Sequence, residues 1–206
     1  SNGDIGAVEE YIFESLPIQL LGVPPITGWQ FTWDNCCRNA AITNITLPSS
    51  AGFTLRASMF PFIDPSTGVA IPADPCFDSS PEFKEQPKTI LCTGFPFSYS
   101  HNAADEELDE LVYSWGEPLD DFLTVYNPPV DPAPLTYVAP YSITNPLPGN
   151  PTLNSSTGEI AYDANISGNF VTCVKVQAWK CNQLVSEIYR EVQVVLINCL
   201  PMPGTS

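Results

Sequence analysis

The sequence predicts an all-β fold built from two tandem β-sandwich domains. Many short stretches alternate apolar and polar residues, which is the pattern of half-buried strands. The stretches are separated by turn residues, among them 22 prolines and 12 glycines in a chain of 206 residues. Apolar residues do not recur convincingly at helical spacing anywhere in the chain. Short strands divided by frequent turn signals are typical of sandwiches.

The first part of the chain begins with a predicted edge strand over residues 7–21, because Pro17 interrupts a β-favouring stretch. Trp29, Phe31 and Trp33 then alternate with polar neighbours, which places three large aromatic side chains on one face of a strand. We expect these rings to pack in the core. Two further short strands are expected over residues 42–47 and 52–61.

The domain boundary is predicted in residues 63–89, which are rich in Pro, Asp, Ser and Lys and show little periodicity. This composition is typical of a linker. The predicted domains are therefore residues 1–87 and residues 88–206. Their combined length suits two modules of about 90 to 110 residues each.

The second part contains a closing hairpin, because Val174, Val176 and Ala178 share one face of a long apolar stretch and a turn at Asn182 follows it. The returning strand carries Val192 and its apolar neighbours on one face. The predicted strands of this part are residues 90–92, 95–100, 111–115, 160–162, 170–179 and 188–198.

The charge excludes one class of partner. Seven Lys and Arg residues against 23 Asp and Glu give a net charge of -16. Such a chain repels phosphate backbones and anionic lipid, so neither nucleic acid binding nor direct membrane insertion is expected. Apolar runs fall short of the roughly 20 residues that span a bilayer, and we expect a mature or excised ectodomain.

Seven cysteines without zinc-site spacing predict disulfides formed in an oxidising compartment. Cys173 and Cys181 should not pair, because eight residues of extended strand span about 26 Å while a disulfide needs Cα atoms within about 7 Å. We expect the start of the first strand and the turn of the last hairpin to lie at one pole of the second sandwich, near Cys36, Cys37 and Cys76. Cys199, which ends the last strand, is expected at the far pole. That placement predicts that Cys36 or Cys37 joins Cys92, or that Cys76 joins Cys92 or Cys181.

An acidic loop at mid-chain is a candidate metal site. Asp105, Glu107 and Asp109 alternate between two strand-like segments. This spacing lets a short loop turn several carboxylates toward one hard cation, and calcium is the natural candidate. The alternative is a solvated acidic turn, which is the usual role of a charge run.

Two other kinds of site deserve a test. His101 has Ser100 and Asp105 nearby as conceivable catalytic partners, but a Gly-x-Ser-x-Gly elbow is missing, so no enzyme is predicted. Trp115 and Trp179 are the best candidates for stacking sugar rings on an exposed sheet face. Their alternative role is core packing, since both are in phase with apolar neighbours.

A series of short blocks resembles one protein family. These blocks include residues 29–33, 34–45, 79–83, 91–97, 101–114, 140–142, 145–148, 157–160, 168–171 and 194–199. Their order and spacing resemble the SprB-like surface adhesins of gliding bacteria, which are secreted by the type IX system. The resemblance covers nearly the whole chain from about residue 27.

The resemblance implies cadherin-like or immunoglobulin-like domains and adhesion at the bacterial cell surface, without catalysis. Neighbouring domains of the same adhesin and a surface polysaccharide are the implied partners. The family's acidic loop commonly runs Asp-x-Asp-Gly-Asp-x-Leu, and this chain carries Glu107 and Leu108 where that pattern has Asp and Gly. With Leu108 at this position, the chain lacks the glycine that best tolerates positive φ.

Two alternative functions remain open from the sequence. One is a carbohydrate-binding module of a secreted polysaccharide-degrading protein, using exposed Trp or Tyr faces. The other is a passive spacer or filament subunit, in which sandwiches only hold a distal tip away from the cell.

Overall fold

The computed structural model describes residues 11–72, 78–122 and 132–199. These residues form β-strands and one short 3-10 helix (Pro48–Ser50), which confirms the predicted all-β class. None of their helical structure is long and apolar enough to cross a membrane. The strands are β1 (Trp29–Asn35), β2 (Phe53–Met59), β3 (Glu82–Phe83), β4 (Ile90–Cys92), β5 (Pro96–Ser100), β6 (Ala103–Ala104), β7 (Glu110–Trp115), β8 (Thr152–Leu153), β9 (Glu159–Asp163), β10 (Gly168–Lys180) and β11 (Gln183–Ile197).

The largest sheet is organised around the predicted closing hairpin, β10 and β11. Its strand order is β1-β2-β11-β10-β7, and β4 also pairs with β11. Lys180 and Gln183 form the last pair of the hairpin, so the turn has only two residues between them. Cys181 and Asn182 both have positive φ, at 49° and 61°. Two central residues with positive φ match the right-handed twist of the strands they connect.

The small strand β4 runs parallel to β11, whereas the other strand pairs of this sheet are antiparallel. Ile90 lies opposite Val195, and Cys92 lies opposite Ile197. The C-terminal ends of the two strands therefore lie side by side. This arrangement brings Cys92 close to Cys199.

The main core lies between the large sheet and a three-stranded sheet of order β5-β9-β8. Alternate residues of β10 and β11 point into it: Val174 and Val176 are fully buried, and Val192 is 6% exposed. Ala178 is also fully buried, but it packs in a smaller cluster with Phe62 and Val185. Two-residue periodicity in a strand places every second side chain on the same face. The core cluster also includes Tyr113, Leu147, Ile160, Tyr162, Phe170, Val194 and Leu196.

The predicted boundary at residue 87 does not separate two sheets. Strand β2, from the first predicted domain, pairs with β11 through Met59–Ser186 and its two neighbours. Strand β3, from the same predicted domain, pairs with β6. The proline-rich stretch 63–89 has the composition of a linker, yet the segments that it joins share a sheet. Composition reports local backbone preference and says nothing about which strands pair.

The first 60 residues differ in detail from the predicted strands. Residues 11–28 contain no strand, so the described part of the expected edge strand over 7–21 is irregular. Residues 42–47 make only isolated bridges, at Ile42 and Ile45. The aromatic strand is present as β1, but Phe31 is 51% exposed and does not pack in the core. An edge strand with only β2 as neighbour leaves part of its faces uncovered.

Candidate functional site

One disulfide joins the end of β4 to the end of the longest strand, β11. Cys92 and Cys199 are bonded, with Cα atoms 5.3 Å apart and a separation of 107 positions in sequence. The prediction that Cys92 pairs with Cys36, Cys37 or Cys76 is therefore wrong. That prediction placed Cys199 at the far pole, but the parallel pairing of β4 with β11 brings the ends of both strands together.

The other cysteines follow the sequence argument only in part. Cys36 and Cys37 are bonded to each other. Cys173, which is buried, and Cys181, which is exposed, form no disulfide among the described residues, so they do not pair with each other, as the distance argument predicted. Cys76 lies outside the described residues.

A buried ion pair connects the end of β1 to β11. The Arg38 guanidinium forms a two-pronged contact with the Glu191 carboxylate, and the Nη2–Oε2 distance is 2.8 Å. The Arg38 and Glu191 side chains are 3% and 13% exposed. Arg38 also donates a hydrogen bond to the Leu119 carbonyl oxygen at 2.8 Å. Burial raises the pKa of Glu191, and the contact with Arg38 opposes that rise. A bidentate pair of two planar ionic groups fixes the orientation of the segment that follows β1.

The carboxylates of the acidic loop, residues 105–109, bind protein groups. Asp105 accepts a hydrogen bond from the Asp109 backbone amide at 3.0 Å. Glu107 accepts bonds from the amide and hydroxyl of Ser79, at 3.1 and 3.0 Å. These bonds hold the loop against the segment that carries Ser79. In the described part of the chain, no group of three acidic, His or Cys side chains is placed to hold a metal.

Asp109 pairs with a lysine at the end of β10. Its Oδ2 lies 3.2 Å from Lys180 Nζ. Lys180 Nζ also lies 3.2 Å from Asp78 Oδ1. Leu108 has a φ of 62°, so leucine occupies the left-handed conformation at the position where the family pattern has glycine. It is 89% exposed, which leaves its side chain room there.

His101 is a packed residue and not part of a hydrogen-bonded triad. It is 2% exposed, and neither ring nitrogen has a hydrogen-bond partner among the described residues. Its ring packs edge-on against Phe83 and Tyr99. Burial lowers the pKa of His101 to about 4, and the nearby Arg190 charge contributes to that lowering. The Ser100 hydroxyl, the conceivable nucleophile, donates to the Thr157 carbonyl oxygen.

The two tryptophans proposed for glycan stacking are both half-buried. Trp115 packs against the main core. The Trp179 indole nitrogen is buried, with no hydrogen-bond partner in the described part of the chain. Neither ring forms an open platform for a sugar. Their burial agrees with the alternative role of core packing, which their phase with apolar neighbours favours.

An open aromatic groove lies instead beside β1 and β2, with a volume of about 1100 Å³. Trp33 lies at its centre, with ring centroids 5.1 Å from Phe13 and 5.3 Å from Phe53. Phe31 and Arg56 also line this groove. The sequence pattern found the aromatic row but assigned it to the core. These rings remain accessible because β1 is an edge strand, and its position at the edge depends on long-range pairing.

Comparison with known proteins adds no assignment: no protein-family model, curated protein or solved structure matches this chain.

Proposed function

We propose that the chain is a structural and adhesive, non-catalytic segment of an extracellular bacterial surface protein. In this role the segment carries tension. In this proposal the two sheets that enclose the core form an immunoglobulin-like or cadherin-like sandwich. Neighbouring domains of the same adhesin and a surface polysaccharide are its proposed partners. Disulfide bonding and the acidic composition support an extracellular location.

The observation that carries the proposal is the pairing of β4 with β11, together with the Cys92–Cys199 disulfide at their common end. When the two termini are pulled apart, opposite forces act on the start of β4 and on the end of β11. Because the strands are parallel, these forces shear them along their length, and all the hydrogen bonds between them resist at the same time. The disulfide then prevents the strands from separating, so the segment between Cys92 and Cys199 stays folded.

Single-molecule stretching tests the mechanical part directly. The chain is held by handles at its two termini and extended in oxidising buffer, then in reducing buffer. The bridge encloses 107 positions. At about 3.3 Å per residue, reduction should release roughly 350 Å of additional extension. Equal extension in both buffers would contradict the proposal.

A matched variant separates this bridge from the other cysteines. Cys92→Ser with Cys199→Ser should show the long extension in both buffers. Cys181→Ser, which removes an exposed free thiol, should behave like the parent chain. If the parent and the double variant extend equally in oxidising buffer, the β4–β11 bridge carries no load.

The aromatic groove supports a second candidate function, binding of a neutral polysaccharide. Aromatic faces stack on sugar rings, and Phe31, which is 51% exposed, and Trp33 line this groove, whereas the two tryptophans singled out from the sequence do not. Affinity electrophoresis in gels containing cell-surface polysaccharide tests it. Trp33→Ala should abolish retardation, while Trp115→Phe should leave it unchanged. Retardation that depends on Trp115 and not on Trp33 would move the site away from the groove.

A further inference from the structure

The cluster of Asp78, Asp109 and Lys180 has the composition of a site for an intramolecular amide bond. Lys180 Nζ lies 3.2 Å from Asp78 Oδ1 and 3.2 Å from Asp109 Oδ2. The side chains of Asp78 and Asp109 are 1% and 8% exposed, and that of Lys180 is 21% exposed. One amine therefore faces two carboxyl groups in a place from which water is largely excluded.

The fold holds each member of this cluster from a different direction. Lys180 is the last residue of β10, and Trp179 pairs with Glu110 at the start of β7. Asp109, which precedes Glu110, is thereby placed beside Lys180. Asp78 comes from the segment before β3.

The acidic loop positions Asp78 through its neighbour. Glu107 accepts hydrogen bonds from the amide and the hydroxyl of Ser79, and this contact holds the segment that carries Asp78 against the loop. Asp105 fixes the same loop by accepting a bond from the Asp109 amide. The carboxylates that suggested a calcium site thus assemble a lysine–carboxyl cluster.

We propose that Lys180 Nζ and Asp78 Cγ form an isopeptide bond, with Asp109 as the proton acceptor, so that the loop before β3 becomes covalently attached to the end of β10. The proposal concerns covalent maturation of the chain and does not depend on the adhesive function proposed above. Because an amide bond between Asp78 and Lys180 would keep residues 78–180 from extending, the stretching experiment is carried out on Lys180→Arg, in which the bond cannot form.

The reaction is a condensation that balances without an oxidant or a cofactor. The Lys180 ammonium gives one proton to the Asp109 carboxylate, and the neutral amine attacks the protonated carboxyl carbon of Asp78. The carbon–nitrogen bond forms, and the carbon–oxygen bond to the Asp78 hydroxyl breaks. The hydroxyl leaves with a second proton from the former ammonium as water. Asp109 ends protonated and returns its proton to solvent.

The electrostatics of the cluster support these roles. Burial raises the pKa of Asp78 to about 7, a hydrogen bond to Asp109 adds to the rise, and Lys180 opposes it. Asp78 therefore retains a proton near neutral pH, as the attacked carboxyl must. An amine and a carboxyl held in contact react with effective concentrations of about 10⁵–10⁸ M in favourable cases, which lowers the barrier to forming the amide bond.

Intact-mass spectrometry of the folded chain, after full reduction and alkylation, tests the proposal. We expect a mass lower by one water molecule than the sequence requires. Trypsin should then fail to cut after Lys180 and should give a branched peptide joining residues 57–84 to residues 176–190. Reduction is essential because Cys76 and Cys181 lie in these two peptides, and a disulfide between them would also join the peptides. A full mass with normal cleavage after Lys180 would overturn the proposal.

Three variants identify the atoms involved. Lys180→Arg keeps a positive charge but cannot form the amide, and it should restore the full mass. Asp78→Ala should do the same, whereas Asp109→Asn should slow bond formation after refolding. Lys84→Arg, at an exposed lysine paired with Glu82, is the control and should keep the water loss. A link that persists in Asp78→Ala and maps to Asp109 would refute Asp78 as the attacked residue.

Discussion

Removing Arg38 should be one of the most damaging single changes in the chain, because it leaves a buried carboxylate without its partner. The Arg38 and Glu191 side chains are 3% and 13% exposed, so water screens the pair only weakly. Breaking a buried pair by deleting one member costs about 3–5 kcal/mol. Arg38→Ala also removes the hydrogen bond to the Leu119 carbonyl, worth roughly 1 kcal/mol. We therefore expect a loss in the upper part of the range for a broken buried pair, about 4–5 kcal/mol in the free energy of unfolding.

Urea unfolding followed by tryptophan fluorescence measures this loss. With an m value of about 2.5 kcal/mol/M, the transition midpoint of Arg38→Ala should fall by roughly 1.5–2 M. Arg38→Met combined with Glu191→Met should be less destabilised than Arg38→Ala, because no charge is left buried. Lys84→Ala, which breaks the exposed pair with Glu82, is the control and should cost less than about 1 kcal/mol. A loss below about 1 kcal/mol for Arg38→Ala would refute the reasoning.

Three further predictions concern other parts of the structure. Burial lowers the pKa of His101 from 6.5 to about 4, so the unfolded chain binds a proton at this residue at a higher pH than the folded chain does. The free energy of unfolding should therefore fall by about 3 kcal/mol as the pH drops from about 6.5 to about 4. His101→Phe should flatten that part of the stability–pH curve, and an unchanged curve would contradict the burial argument. Serine at both Cys92 and Cys199 should lower the free energy of unfolding by about 5 kcal/mol in the chain-entropy model, measured by urea unfolding, whereas a loss under about 1 kcal/mol would show that the bridge does not constrain the unfolded chain. Millimolar calcium should leave the melting temperature unchanged, because the acidic-loop carboxylates already bind Ser79 and other protein groups, and a rise of several degrees would show a calcium site.

Local pattern was sufficient to predict six strands of the second part, namely β4, β5, β7, β9, β10 and β11, but not the two-residue strands β6 and β8. Strand β4 matches its predicted bounds, and the predicted β10–β11 hairpin, with its turn at Asn182, differs by only a few residues at its ends. Two-residue periodicity follows from strand geometry alone, so it can be recognised without knowledge of the partners. The buried face of β10, with Val174 and Val176 fully buried, follows from the same rule.

Long-range pairing was not accessible from local pattern. The sequence does not show that β4 runs parallel to β11, and this single orientation reversed the predicted position of Cys199 relative to Cys92. It also does not show that β2 joins β11 across the proline-rich stretch 63–89. Pairing depends on which faces find complementary partners in three dimensions.

The acidic loop shows the same limit for a site. The sequence located the loop and its carboxylates, but not their partners. Ser79 and Lys180 are 28 and 71 positions from Glu107 and Asp109, and both contacts require the folded sheet. Spacing therefore located these carboxylates but not their contacts: each binds a different protein group, and Asp109 faces a lysine.

Non-reducing peptide mapping of the folded chain is the most direct test of the central claim, that the ends of β4 and β11 are held together. The structure predicts a peptide containing Cys92 linked to a peptide containing Cys199, with the two released from one another by reduction. Linkage of Cys92 to Cys36, Cys37, Cys76 or Cys181, or a free Cys92 thiol, would contradict the parallel pairing and the tension-bearing role that rests on it.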